Sequence, residues 1–264
     1  MKSILFVLAC TLAFLSVAGC ESAQSVKIKE MKAIVTASGM EPTAAAAVSK
    51  RIEAAPERFF DLIDAIQVEM AADPFLLTRA DKEKGLASGY EPGDLVVLDN
   101  TGLSLSRPGH RLRKPTVNAL KAMDEAARAN GIALVVSSAY RSYAYQKDLF
   151  ARNVAEMGEK EAARVSAVPG ASQHQLGTAA DFGSITDDFA KTEAGRWMKA
   201  NAGRFGFSLS YPEGMEAVTG YVWESWHYRF IGKTAVALQD EYFGGVQHYL
   251  MLFLDGLSRA RSKK

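Results

Sequence analysis

In Ser172-Gln173-His174-Gln175-Leu176-Gly177-Thr178-Ala179-Ala180-Asp181, one of only four histidines in the chain stands seven residues before an aspartate, among small residues. Imidazole nitrogen and carboxylate oxygen are the donors that zinc takes when no thiolate is at hand. A second stretch, Trp223-Glu224-Ser225-Trp226-His227-Tyr228, adds another histidine and a glutamate. His174, Asp181 and His227 would leave a tetrahedral zinc one position open to water, which is the pattern of catalytic zinc. Glu224 is then free to move protons. Each residue alone has a plainer reading. A lone histidine is usually satisfied within a fold, and a Glu/His pair three apart is common by chance. It is their joint occurrence that points to metal-assisted hydrolysis.

The two stretches resemble the words S-x-H-x-x-G-x-A-x-D and E-x-W-H of the VanY-type D-alanyl-D-alanine carboxypeptidases, zinc peptidases of the bacterial cell wall. Tyr140-Arg141-Ser142 stands upstream as in that family, and the resemblance runs from about Phe75 to Leu250. It implies Zn²⁺ as cofactor, Glu224 as the base, and Arg141 as a contact to substrate or oxyanion. Without it, Arg141 would read as a surface arginine paired with an acid. It further implies substrate contacts from Gln146, Ser172, Tyr140 and Trp226, with peptidoglycan stem peptides ending in D-alanine as the partner. Two other readings stay open: an LD-carboxypeptidase acting on tetrapeptides, and a catalytically silent module that binds cell-wall peptide. The chain departs from the family at Gln173, where glutamate is frequent, at Ser225, where proline is frequent, and at Ala139, where glycine is frequent. Gln173 is expected to alter substrate preference and Ser225 to loosen the final loop.

The elements that must carry these residues are bounded first by length and composition. A chain of 264 residues can bury a full core. With 48% hydrophobic and 23% charged residues it is neither a disordered chain nor a membrane bundle. A net charge of +1 gives no basic excess with which to neutralise phosphates, so nucleic acid is not expected as a partner. Lys2 and the apolar run Ile4 to Val17 read as a signal peptide over residues 1–19. Val17-Ala18-Gly19-Cys20 resembles the lipobox of bacterial lipoproteins, in which the cysteine is acylated. Cys20 is therefore expected to carry a lipid that anchors an exported protein to a bacterial membrane, facing the periplasm or cell wall. The other cysteine, Cys10, falls within the signal, so neither a disulfide nor a thiolate ligand is expected in the mature chain.

The pattern predicts an α+β fold: a small, largely antiparallel sheet bearing the zinc site, helices packed on it, and an N-terminal helical extension. Residues 20–74 read as tether and helical extension, 75–255 as the peptidase domain, and 256–264 as a basic tail. Residues 21 to about 40 read as weakly structured, with helices starting at Pro42 and after Pro56. Phe75-Leu76-Leu77 reads as a short buried strand. Ile132–Val136 reads as a strand buried on both faces that delivers Arg141 at its end. Helices are predicted from Pro115 to Gly131, from Tyr143 to Met157 and from Asp187 to Asn201, and a strand over Phe205–Leu209. His110 reads as a solvated loop histidine and His248 as structural or exposed. Glu224 and His227 pose a geometric problem. On a regular strand, residues three apart face opposite sides, so the backbone must bend there if both serve one centre.

Overall fold

The computed structural model describes residues 22–262; the signal segment, Cys10 and Cys20 lie outside the described residues. In chain order the elements are α1 (Ala23–Ala37), α2 (Pro42–Ala54), α3 (Pro56–Ala72), β1 (Leu95–Val97), β2 (Ser104–Leu105), β3 (Arg111–Arg113), α4 (Lys114–Arg128), β4 (Val135–Ser138), α5 (Tyr143–Met157) and α6 (Glu159–Val165). They continue with β5 (Ala179–Phe182), α7 (Glu193–Asn201), β6 (Phe207–Leu209), α8 (Glu216–Thr219), β7 (His227–Phe230), α9 (Lys233–Tyr242) and α10 (Gln247–Arg261). Five strands form one sheet in the order β2-β4-β5-β7-β6, parallel only between β2 and β4. β1 and β3 form a separate antiparallel pair. The expected α+β fold with a largely antiparallel sheet is what forms.

Two apolar cores hold this together. Under the sheet, Leu120, Met123 and Ala127 of α4 pack with Val136, Phe182, Phe207 and Tyr228. The α4 residues recur at the three- and four-residue spacing that makes one helix face apolar. The second core is helical: Ile34, Val35, Ile52, Phe59 and Ile66 from α1–α3 meet Leu238, Leu250 and Phe253 from α9 and α10. Burying each such side chain is worth about 1.5–3 kcal/mol, so α1–α3 are bound to the C-terminal helices by many small terms.

Several predicted elements differ. The stretch expected to be weakly structured is α1. Ser22 caps it by accepting the Ser25 N–H at 3.1 Å, and Met31, Ile34 and Val35 bury one face. Phe75–Leu77 is a turn: Asp73 accepts the Phe75 N–H through its side chain and the Leu76 N–H through its carbonyl, leaving no edge for a partner strand. The strand predicted at Ile132 begins only at Val135, because the Ile132 N–H still closes the end of α4 on the Ala127 carbonyl. It is not buried on both faces, since Ala133 is exposed and burial alternates from there. The helix predicted over Asp187–Asn201 is broken into a 3₁₀ turn (Asp187–Lys191) and α7. There the Thr192 hydroxyl accepts the Gly195 N–H at 2.9 Å and starts a new helix. The strand predicted from Phe205 starts at Phe207, after a 3₁₀ turn over Ala202–Phe205. His110 is buried beside the Ser106 hydroxyl rather than solvated, and His248 lies half-buried on α10, 3.9 Å from Asp81.

Candidate metal centre

Strand register assembles most of the site. Ser138 of β4 pairs with Asp181 of β5, and Asp181 pairs with His227 of β7. Directly opposed residues share a face of the sheet, so three residues far apart in sequence form one row. His174 reaches the row from a 3₁₀ turn over Gln173–Leu176. That turn is pinned at both ends. Ser172 Oγ accepts the His174 N–H, and Gln175 donates to the Ala87 and Tyr90 carbonyls at 3.0 and 3.1 Å. Gly177 ends the turn at φ +68°, with its N–H on the His174 carbonyl. A Cβ there would come within 2.9 Å of Arg113 Cγ and of Leu95 Cδ2, so both conformation and space demand glycine.

The Glu224/His227 problem is solved by a turn before the strand. The His227 N–H bonds back to the Glu224 carbonyl at 3.2 Å, and β7 begins only at His227. Glu224 Oε2 therefore lies 3.5 Å from His227 Nδ1. Ser225 sits buried in a closed, hydrogen-bonded turn and not in a loosened loop.

His174, Asp181 and His227 are all buried, and their ligand atoms lie within 4.8 Å of one another. Second partners fix both imidazoles. His174 donates from Nδ1 to the Ala139 carbonyl at 2.7 Å, leaving the Nε2 lone pair for the centre. His227 donates from Nε2 to Gln173 Oε1 at 3.2 Å, leaving the Nδ1 lone pair for the centre. Such outer hydrogen bonds are how proteins orient imidazole ligands. His174 Nε2 is buried and makes no hydrogen bond, although Asp181 Oδ2 is 3.2 Å away. His227 Nδ1 lies 3.0 Å from Asp181 Oδ1. Lone pairs facing a carboxylate at these distances repel unless a cation stands between them. Tetrahedral ligands about 2 Å from zinc stand roughly 3.3 Å apart, so spacing, donor set and orphaned nitrogen all fit zinc.

Electrostatics agree. Burial, with Arg141 alongside, pushes His174 down to about 4, so the imidazole is a neutral ligand. Burial pushes Glu224 up to about 7, where a carboxylate can both take and return a proton near neutral pH.

The ligands open into a cavity of about 340 Å³ lined also by Ser138, Arg141, Ser172, Tyr211, Glu224 and Trp226. Arg141 points at the centre: Nη2 lies 3.4 Å from Asp181 Oδ2, and Nη1 donates to Gln146 Oε1 at 3.1 Å. Gln146 is buried and does not line the cavity; it supports Arg141 and is itself held by the Ala167 carbonyl. Nor does Tyr140 line it, because its ring lies under the Arg111 guanidinium at 4.9 Å. Gln173, expected to act on substrate preference, accepts hydrogen bonds from His227 and from Ser210 Oγ and so acts on a ligand. Sequence reading missed Tyr211, whose ring packs 4.9 Å from that of His227. It also missed Tyr221, whose buried hydroxyl has no hydrogen-bond partner, and Arg107 at the cavity edge. Only Tyr221 carried a signal, its place just before the Trp223–Tyr228 stretch; Tyr211 and Arg107 stand in loops apart from the motifs.

A three-ligand zinc site with a buried carboxylate beside it, on a small antiparallel sheet, defines the class: a zinc peptidase. Residues 109–233 match the family described as VanY, D-alanyl-D-alanine carboxypeptidase. The chain is 38% identical over 186 residues to the putative carboxypeptidase YodJ of Bacillus subtilis (strain 168), covering 65% of this chain and 68% of that one. Among solved structures it resembles the LdcB LD-carboxypeptidase, with 35% identity, TM-score 0.58, and coverage of 65% of this chain and 86% of the other. It also resembles the D,D-pentapeptidase VanY of the VanB-type resistance cassette in complex with Zn(II), with 31% identity, TM-score 0.55, and coverage of 67% and 99%. The chain belongs to the VanY family of D-alanyl-D-alanine carboxypeptidases.

Proposed function

We propose that this protein is a zinc carboxypeptidase that removes C-terminal D-alanine from peptidoglycan stem peptides. The observation that carries the reading is the pair of imidazole nitrogens turned on one buried carboxylate, with Glu224 beside them and an open cleft above. His174, Asp181 and His227 would hold the metal. When bound, zinc lowers the pKa of a coordinated water and polarises a carbonyl. Glu224 takes the proton from the attacking water and passes it to the departing amine. Arg141, fixed by Gln146 and aimed at the metal side of the cavity, faces charge that develops on the scissile carbonyl oxygen. Ser172 and Trp226 line the cavity and flank the peptide there.

A carboxypeptidase needs a free chain end. Zinc-loaded protein should cleave a stem pentapeptide with a free C-terminal carboxylate and leave its terminally amidated counterpart nearly untouched. Efficient cleavage of the amide would replace the exopeptidase reading with an endopeptidase one. Release of D-alanine from a tetrapeptide in preference to a pentapeptide would favour LD specificity, the activity named for the LdcB structure.

The proposal extends to the site of action. The Val17-Ala18-Gly19-Cys20 word supports export with a lipid on Cys20, which would hold the enzyme beside the cell wall. An acyl chain contributes about 0.8 kcal/mol per buried methylene to membrane affinity. Cys20→Ser should therefore move the protein from membrane to soluble fractions. Unchanged acyl labelling of that variant would contradict the anchor.

A further inference from the structure

The cleft is lined by four formally charged side chains, and three of them are committed to the metal centre. Asp181 is a ligand, Glu224 the base, and Arg141 is tied to Asp181 and Gln146. The fourth is Arg107, which is exposed and makes no hydrogen bond or ion pair among the described residues. Its backbone is nonetheless fixed. On one side, the Ser106 N–H bonds to the Val136 carbonyl at 3.0 Å, extending β2 along β4. On the other, Gly109 turns at φ +84° and gives its N–H to Asp99 Oδ1 at 2.8 Å. A free guanidinium is thus presented from an anchored loop at one edge of the cleft.

Sheet order sets how far Arg107 stands from the chemistry. β2 neighbours β4, and β4 neighbours β5, which carries Asp181. Two strand spacings are roughly 10 Å. Arg107 follows β2 and lines the same cavity as Asp181, so the separation is one that a long substrate side chain, rather than the peptide backbone at about 3.6 Å per residue, is suited to bridge. The long side chain of a stem peptide belongs to its diamino acid. In one chemical class that side chain ends in a carboxylate as well as an amine, as in diaminopimelate; in the other it ends in an amine alone, as in lysine. A guanidinium pairs with the first and repels the second.

We infer that Arg107 is a specificity-determining residue that receives the side-chain carboxylate of the diamino acid, making the preferred substrate a diaminopimelate-type stem peptide with that carboxylate free. The inference rests on the carboxypeptidase reading of the cleft.

Three pentapeptides that differ only at this position test it: free diaminopimelate, its side-chain carboxamide, and lysine. For zinc-loaded wild type, kcat/KM on the free-carboxylate peptide should exceed that on the carboxamide by about fivefold, the upper range for a solvent-exposed ion pair. The gap should shrink in high salt. Arg107→Ala should abolish the gap while raising the rate on the lysine peptide, and Arg107→Glu should invert the preference. The same ratios read as binding to zinc-loaded Glu224→Gln need no turnover. Cleavage of all three peptides without discrimination, or discrimination that survives in Arg107→Ala, overturns the assignment to Arg107 and leaves the carboxypeptidase reading standing. If no peptide is cleaved but the binding ratios follow Arg107, the catalytic reading fails and this one holds.

Discussion

Glu224 and His174 show how burial sets chemistry at the scale of a residue. Burial moves the Glu224 carboxyl up to about 7, so the base is largely protonated in acid. A bound cation opposes that push. The acidic limb of the kcat/KM profile should therefore lie at or below pH 7 in zinc-loaded protein and be absent in Glu224→Gln. That variant keeps shape and hydrogen bonding but cannot take a proton, so we expect zinc retention with a rate loss of at least ~10²-fold. Near-normal turnover would move the base elsewhere. The same group gives a stability signature in metal-free protein. A carboxyl raised above its unfolded value favours the fold below about pH 4.5, and that contribution is lost as pH rises through 7. Metal-free Glu224→Gln should accordingly be more stable than wild type at pH 8, by roughly 1–3 kcal/mol. Equal denaturation midpoints would mean the carboxyl is not strained by burial. The cluster of His174, Asp181 and His227 with Glu224 beside it was legible in the sequence because few residue types can hold zinc or move a proton there. Gln146 was misplaced, and the hydrogen bond from His227 to Gln173 went unforeseen, because an amide's role depends on what it touches, and the sequence does not show that.

At the scale of elements, the site depends on one turn and one row. The row Ser138–Asp181–His227 follows from antiparallel register, and no local pattern in the sequence reveals which residues will stand opposite. The turn was half legible. The glycine of the histidine word was visible, but not that Arg113 and Leu95 crowd its α-carbon. Gly177→Ala should cost about 1 kcal/mol or more of stability through its positive φ and the two close contacts. Because the turn carries His174, zinc affinity should fall with it. Denaturant unfolding and metal analysis of the purified variant check both, and unchanged zinc content would show that His174 is held by other means. The misread strands and helices share a cause. At Phe75, Ile132 and Thr192, local hydrogen bonds from backbone N–H groups, to the Asp73 side chain, the Ala127 carbonyl and the Thr192 hydroxyl, overrode apolar patterning. Helix α1 was missed because its apolar face is completed by tertiary packing, against α2 and, far along the chain, against α10.

At the scale of the whole molecule, the helical core and the metal site are joined through α10. Gln247 lies on that helix, accepts a hydrogen bond from Gln173 Nε2 at 3.2 Å, and so backs the side chain that orients His227. Helices α1–α3, packed with α9 and α10, thereby back the centre through α10, while the cleft stays open above the sheet. All of this serves one reaction, and one measurement tests it most directly. Purified stem pentapeptide is incubated with zinc-loaded protein, with metal-free protein and with zinc-loaded Glu224→Gln, and the products are read by mass spectrometry. Zinc-loaded wild type should convert pentapeptide to tetrapeptide with release of a single D-alanine. Metal-free protein and the variant should leave the pentapeptide essentially intact, and restored zinc should return activity to the wild type alone. D-alanine release that persists without metal, or cleavage at an internal bond, would contradict a zinc carboxypeptidase built on His174, Asp181, His227 and Glu224.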